Sequence, residues 1–112
     1  AALERVPRAL HLRRAAAELI HEGLTVTCLQ ADLSKPEEAE RLSEVVLKEQ
    51  GPIDILINNV GGRRINTPTE ELPLEDWQRI LDLNLTQAFV LTKRLGAAMI
   101  PRGWGRIINI AS

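Results

Sequence analysis

Asp54-Ile55-Leu56-Ile57-Asn58-Asn59-Val60-Gly61-Gly62 narrows the possible folds of this chain more than any other stretch. A short apolar run that stops abruptly at two amides and two glycines reads as a buried strand that delivers its carboxyl end to a ligand. A second run of the same kind, Arg106 to Ala111, ends at Ser112. Strands that are apolar along nearly their whole length belong to parallel sheets with helices on both faces.

The segments between these runs have helical spacing. Ala9 to Glu22 carries Leu12, Ala15, Ala16, Leu19 and Ile20 among arginines and glutamates, and Gly23 is placed to stop it. Leu24 to Gln30 is rich in β-branched residues and reads as a further strand. Ser34-Lys35-Pro36-Glu37 has the pattern of a capping box for a helix that runs to about Gln50, with Ala39, Leu42, Val45 and Val46 inward. Gly51-Pro52 ends that helix before the strand Ile53 to Ile57. A long irregular stretch from Gly61 to Pro73 follows, and loops of this length tend to be functional. A long helix then starts near Leu74 or Glu75, with Trp77, Leu81, Ala88, Leu91 and Leu95 on one stripe and Asn84 among them. The predicted order is helix, strand, helix, strand, helix, strand. Such alternation implies right-handed crossovers and an α/β fold built as a partial Rossmann-like, doubly wound parallel sheet.

Composition excludes several alternatives. With 112 residues, 45% hydrophobic and 26% charged, the chain has the make-up of one soluble globular unit. A net charge of −1 with evenly scattered Lys, Arg, Asp and Glu gives no basic face for a phosphate backbone, so nucleic acid is not an expected partner. No apolar run approaches the roughly 20 residues that cross a bilayer, and no signal-peptide pattern opens the chain, so no membrane partner and a cytoplasmic location are expected. Cys28 is the sole cysteine and reads as a small buried hydrophobe in a reducing compartment.

Three strand ends carry polar or small groups where a ligand of an open parallel sheet would sit: Ala31-Asp32-Leu33, Asn58-Asn59-Val60-Gly61 and Ala111-Ser112. The Asp32 carboxylate suits an exocyclic amine such as that of adenine; it also suits a helix N-cap, although Ser34 is better placed for that. Asn58 and Asn59 offer donors and acceptors, and Gly61 and Gly62 permit positive φ and close backbone approach, although amides before glycine are common in turns. Asn84 on an apolar stripe requires a hydrogen bond, either by opening the helix locally to hold a water or by pairing with a neighbouring carbonyl. Ser112 suits a substrate oxygen or a plain turn. Arg63 and Arg64 read mainly as solvated surface, with anion recognition as the alternative. His11 and His21 fall on the solvent side of the first helix. The chain has no Gly-x-Ser-x-Gly elbow, and one Cys with two His at unsuitable spacing makes no metal site.

Taken together, these motifs resemble the short-chain dehydrogenase/reductase family, whose members bind NAD or NADP on a Rossmann sheet. Ala31-Asp32-Leu33 resembles the family's acidic site beside the adenine ring, which implies cofactor-binding roles for Asp32 and Leu33. Asn58-Asn59-Val60-Gly61 resembles its Asn-Asn-Ala-Gly motif, with Val in place of Ala, and implies that Asn58 and Gly61 border the cofactor ribose. Trp77 through Leu85 resembles the segment that bears the active-site asparagine, here Asn84, and Ile107 to Ser112 the strand that ends in the active-site serine. The implied catalytic residues are therefore Asn84, supporting a proton relay through water, and Ser112, orienting the substrate oxygen. The implied activity is reversible hydride transfer between nicotinamide and a carbonyl or secondary alcohol, with a sugar, polyol or 3-oxoacyl compound as the small-molecule substrate.

The family's glycine-rich turn is expected before Ala1 and its Tyr-x-x-x-Lys after Ser112. The sequence contains no tyrosine, and Lys93 in a helix is no substitute. Residues 1–112 are thus expected to form a partial NAD(P)-binding domain that is inactive by itself. In the family's strand order, 3-2-1-4-5, the strands here correspond to the third, fourth and fifth, so Leu24 to Gln30 is expected to lack its neighbours. The rival expectation is a non-enzymatic α/β fragment that associates with itself through the long helix over 75–100. The same helix is implied to make a homo-oligomer of the whole enzyme.

Overall fold

The computed structural model describes residues 8–62 and 66–111, and they divide into two compact units after Gln30. The first unit holds α1 (Arg8–His21), whose end is built as expected. Gly23 adopts φ 91°, its N–H reaches the Ile20 carbonyl at 2.9 Å, and the Leu24 N–H reaches that of Leu19 at 3.1 Å. That pair of bonds is a Schellman stop, which a glycine in the left-handed region makes without strain. Leu24 to Gln30 forms no strand, contrary to expectation. A strand exists only by virtue of a neighbour's ladder, and none of the described segments supplies one. Cys28 is correspondingly exposed rather than buried, its thiol 3.7 Å from the Leu12 carbonyl, because no layer of the described residues closes over it.

The second unit has the order α2 (Pro36–Glu49), β1 (Ile55–Asn58), α3 (Leu74–Leu81), α4 (Gln87–Ala97) and β2 (Arg106–Asn109). A π turn over Asp82–Thr86 joins α3 to α4, and 3₁₀ turns cover Thr69–Glu71 and Ile100–Arg102. The two strands pair in parallel, with Leu56 beside Ile107 and Asn58 beside Asn109. This is the α/β parallel sheet the apolar runs imply, reduced to two strands.

The capping box is not formed. Lys35 occupies the N-cap without a side-chain bond, and the Ser34 hydroxyl donates to the Asp32 carboxylate at 2.6 Å. Pro36 opens the helix without an N–H to satisfy, so little is lost by the missing cap. Further along, Ala39 and Ser43 are fully buried one turn apart, and small side chains at that spacing let α2 and α4 approach closely. Arg94 on α4 bonds Glu40 on α2 at 2.8 Å across the same contact.

Leu56, Leu91, Leu95 and Met99 form the core, with Leu33, Leu42, Val46, Leu47 and Ile53 packed against it. This core lies on one face of the sheet only. On the other face Ile55, Ile57, Ile108 and Ile110 are exposed, whereas helices on both faces were expected. Period-two alternation explains the split, since Leu56 and Asn58 point to the covered side and their neighbours away from it. Trp77 and Trp104 are half-exposed as well, and the Arg106 guanidinium lies 4.9 Å from the Trp104 ring centroid.

Candidate functional site

Both strands end at one open cleft of about 1000 Å³, whose lining includes Asn58, Gly61, Asn84, Gln87 and Asn109. Its position follows from the topology. Adjacent parallel strands bring their carboxyl ends to the same edge, which is where ligands of open parallel sheets sit.

Asn58 is buried, and its side chain turns inward toward α4. Its Nδ2 donates to Asn109 Oδ1 at 2.8 Å and to Thr92 Oγ1 at 3.3 Å. Asn109 faces it because the register pairs the two residues directly. The Asn58 amide nitrogen therefore ties the two strand ends to each other and to α4. Asn58 Oδ1 has no hydrogen-bond partner among the described residues, nor does Oε1 of the buried Gln87. An unpaired buried amide oxygen costs about 1–3 kcal/mol.

The π turn places Asn84. A π turn displaces the backbone donors by one residue, as in the Gln87 N–H that bonds the Asp82 carbonyl. The Asn84 Nδ2 donates to the Ile80 carbonyl at 2.9 Å, and Oδ1 accepts the Gly62 N–H at 2.6 Å. The sequence places Asn84 on a buried stripe. In the structure it is exposed at the cleft, because the widened turn breaks the α-helical phase on which that stripe was drawn. The expected local opening of the helix is present at this residue, and both ends of the amide are held.

Gly61 and Gly62 meet that amide. Gly62 has φ 73°, in the left-handed region. A Cβ on Gly61 would sit 2.8 Å from Asn84 Oδ1, so the contact requires glycine. Gln87, one residue beyond the π turn, donates from Nε2 to the Val60 carbonyl at 3.4 Å.

The remaining candidates lie elsewhere. Asp32 and Leu33 do not line the cleft. The Asp32 carboxylate accepts from the Ser34 N–H at 3.1 Å and from the Ser34 hydroxyl, while Leu33 packs on the core. Asp32 thus organises the turn before α2, the role the sequence assigned to Ser34. Nearby, Glu38 is held below the ordinary carboxylate value of 4.5, chiefly by a hydrogen bond from the Arg41 guanidinium. Ser112, Arg63 and Arg64 lie outside the described residues. Lys93 lines the cleft, as do Leu85 and Phe89, both exposed.

Gln87, Thr92 and Asn109 were not singled out from sequence. Two signals were available. Asn109 is an amide that interrupts its apolar run three residues before Ser112, and Gln87 follows Asn84 at helical spacing of three.

The profile of the family described as short chain dehydrogenase matches residues 6–112. A 3-oxoacyl-[acyl-carrier-protein] reductase of Synechocystis is 40% identical over 96 residues, which cover 86% of this chain and 38% of that protein. A 2-dehydro-3-deoxy-D-gluconate 5-dehydrogenase of Bacillus subtilis is 45% identical over 91 residues, covering 81% of this chain and 35% of that protein. Among solved structures, a metagenomic short-chain oxidoreductase in complex with NADP superimposes with a TM-score of 0.84 at 29% identity, over 90% of this chain and 46% of that one. The chain thus spans less than half the length of each of these proteins.

Proposed function

The chain belongs to the short-chain dehydrogenase family, and from that premise we propose that its cleft is one wall of the active site of an NAD(P)-dependent oxidoreductase. The reaction is hydride transfer between nicotinamide and a carbonyl or secondary alcohol. The observation that carries this reading is Asn84, held on a π turn with its amide oxygen on the Gly62 N–H at the carboxyl edge of two parallel strands.

The residues fit a dinucleotide. Gly61 and Gly62 leave the backbone bare along the cleft, where a Cβ on Gly61 would meet Asn84. Asn58 and Gly61 border the cofactor ribose. Asp32 and Leu33, on the turn before α2, belong to the adenine side. The bound cofactor supplies or accepts the hydride. Asn84 supports a proton relay through water, with its amide fixed between Ile80 and Gly62, and Ser112 orients the substrate oxygen. A 3-oxoacyl compound, sugar or polyol is the proposed substrate class, and the names of both relatives fall within that range. A cytoplasmic location belongs to the same reading. Residues 1–112 form part of the cofactor-binding domain, and taken alone they are inactive, because the sequence contains no tyrosine to serve as the family's proton donor.

The test is thermal. In the whole protein that carries this chain, saturating NADP or NAD should raise the melting temperature by several degrees, since a ligand that binds only the native state stabilises it. Absence of a shift with either cofactor would sink the reading.

A second reading has its own support for residues 1–112 in isolation. The bare isoleucine face of the sheet and the exposed Trp77, Leu85 and Phe89 of the long helix favour self-association without catalysis. In the whole enzyme the same helix would join subunits into a homo-oligomer.

A further inference from the structure

We propose that Gln87 is a positioning residue that, together with Asn84, fixes the conformation of the Val60–Gly62 loop against which the cofactor binds; the cofactor part of this statement rests on the proposed function. The argument starts from burial. Gln87 is 1% exposed, on a helix whose other buried members are Val90, Leu91 and Leu95. Its Oε1 has no hydrogen-bond partner among the described residues, so an apolar side chain of the same length would avoid a desolvation cost that this glutamine incurs. What the amide does provide is its Nε2 bond to the Val60 carbonyl at 3.4 Å. That bond also orients the amide, because the reverse placement would set Oε1 against a carbonyl oxygen.

The two side-chain bonds to the loop are complementary. The Val60 carbonyl belongs to the peptide plane between Val60 and Gly61. The Gly62 N–H belongs to the plane between Gly61 and Gly62, and it is held by Asn84 Oδ1 at 2.6 Å. Gly61 lies between two pinned planes, so both of its backbone torsions are set from outside by side chains one helical step apart. Glycine is the residue that most needs this, having the widest conformational freedom to lose. Neither bond alone fixes both planes. A loop held in its binding conformation before the ligand arrives binds with less ordering cost, so releasing one plane should appear as weaker cofactor affinity.

Gln87→Met in the whole protein removes the donor and keeps the length. Amide hydrogen exchange in the absence of cofactor should show the Gly61 and Gly62 amides exchanging several-fold faster, with Leu91 and Leu95 unchanged. The dissociation constant for NAD or NADP should rise about three- to tenfold, as expected for one ordinary hydrogen bond. Unchanged exchange at both glycines would overturn the proposal. So would an even rise across the core amides, which would mark a packing role, or faster loop exchange with unchanged cofactor affinity. Should Gln87→Met fail to fold, Gln87→Leu removes the donor in a different shape and is read in the same way. If the unaltered protein binds neither cofactor, the proposed function fails on that result alone, and the exchange comparison still decides whether Gln87 holds the loop.

Discussion

A single methyl group at Gly61 would collide with the oxygen that holds Gly62. The added carbon would lie 2.8 Å from Asn84 Oδ1 and displace it, and with it the bond to the Gly62 N–H. Gly61→Ala should therefore cost about 0.5–1.5 kcal/mol in stability, the usual range for one lost hydrogen bond, and should abolish most of the cofactor-dependent rise in melting temperature. Thermal unfolding with and without NADP checks both parts, and a variant that keeps its full cofactor shift would contradict the contact. The sequence shows the need for glycine after the two amides but not its reason. Spacing between residues 61 and 84 carries no information about their meeting, which depends on how the loop and the π turn are brought to one edge.

At the scale of elements, α2 packs against α4, and the side chains that α2 buries are small. Ala39 and Ser43 are both fully buried, and the Ser43 hydroxyl donates to the Glu40 carbonyl of its own helix at 2.7 Å. Ala39→Leu should force the helices apart and cost about 1–3 kcal/mol or more. Ser43→Ala removes only a local bond and fills the same space, so it should stay within about 0.5 kcal/mol of the unaltered protein. Chemical denaturation of the two variants distinguishes close packing from general sensitivity of α2, which would make the two losses alike. Helix existence was legible here from apolar spacing and from Gly23 and Gly51. The helix start before Pro36 was misread, because Asp32 takes the Ser34 hydroxyl that the capping pattern would direct to the helix amides. The π turn was legible only as an anomaly, a lone amide on an apolar stripe, and its effect on exposure was not.

At the scale of the molecule, a two-stranded parallel sheet covered on one side cannot hide its second face. Ile57 is 57% exposed, and Ile55, Ile108 and Ile110 extend the same surface. Residues 1–112 alone should associate with a concentration dependence that sedimentation velocity reveals. Placing a charge at the centre of the face, Ile57→Lys, should shift the distribution toward a mass of 12.5 kDa. Association that is indifferent to this change would move the interface to the exposed Leu85 and Phe89 of the long helix. Leu24 to Gln30, which has strand composition and forms no strand, lacks a ladder neighbour among the described residues. In both places a surface is built for a neighbour that the described residues do not include.

The sequence by itself determined the alternation of helices with apolar runs, the parallel direction of the two strands, their shared carboxyl edge and the family to which the motifs belong. Periodicity and turn chemistry are local properties, and local properties are written in order along the chain. Tertiary structure alone decided that Asn58 turns inward to Asn109 and Thr92, that Asp32 organises a turn outside the cleft, and that Asn84 reaches Gly62 while Gln87 reaches Val60. An amide can bond any partner brought within about 3 Å. Which partner that is depends on packing between segments distant in sequence.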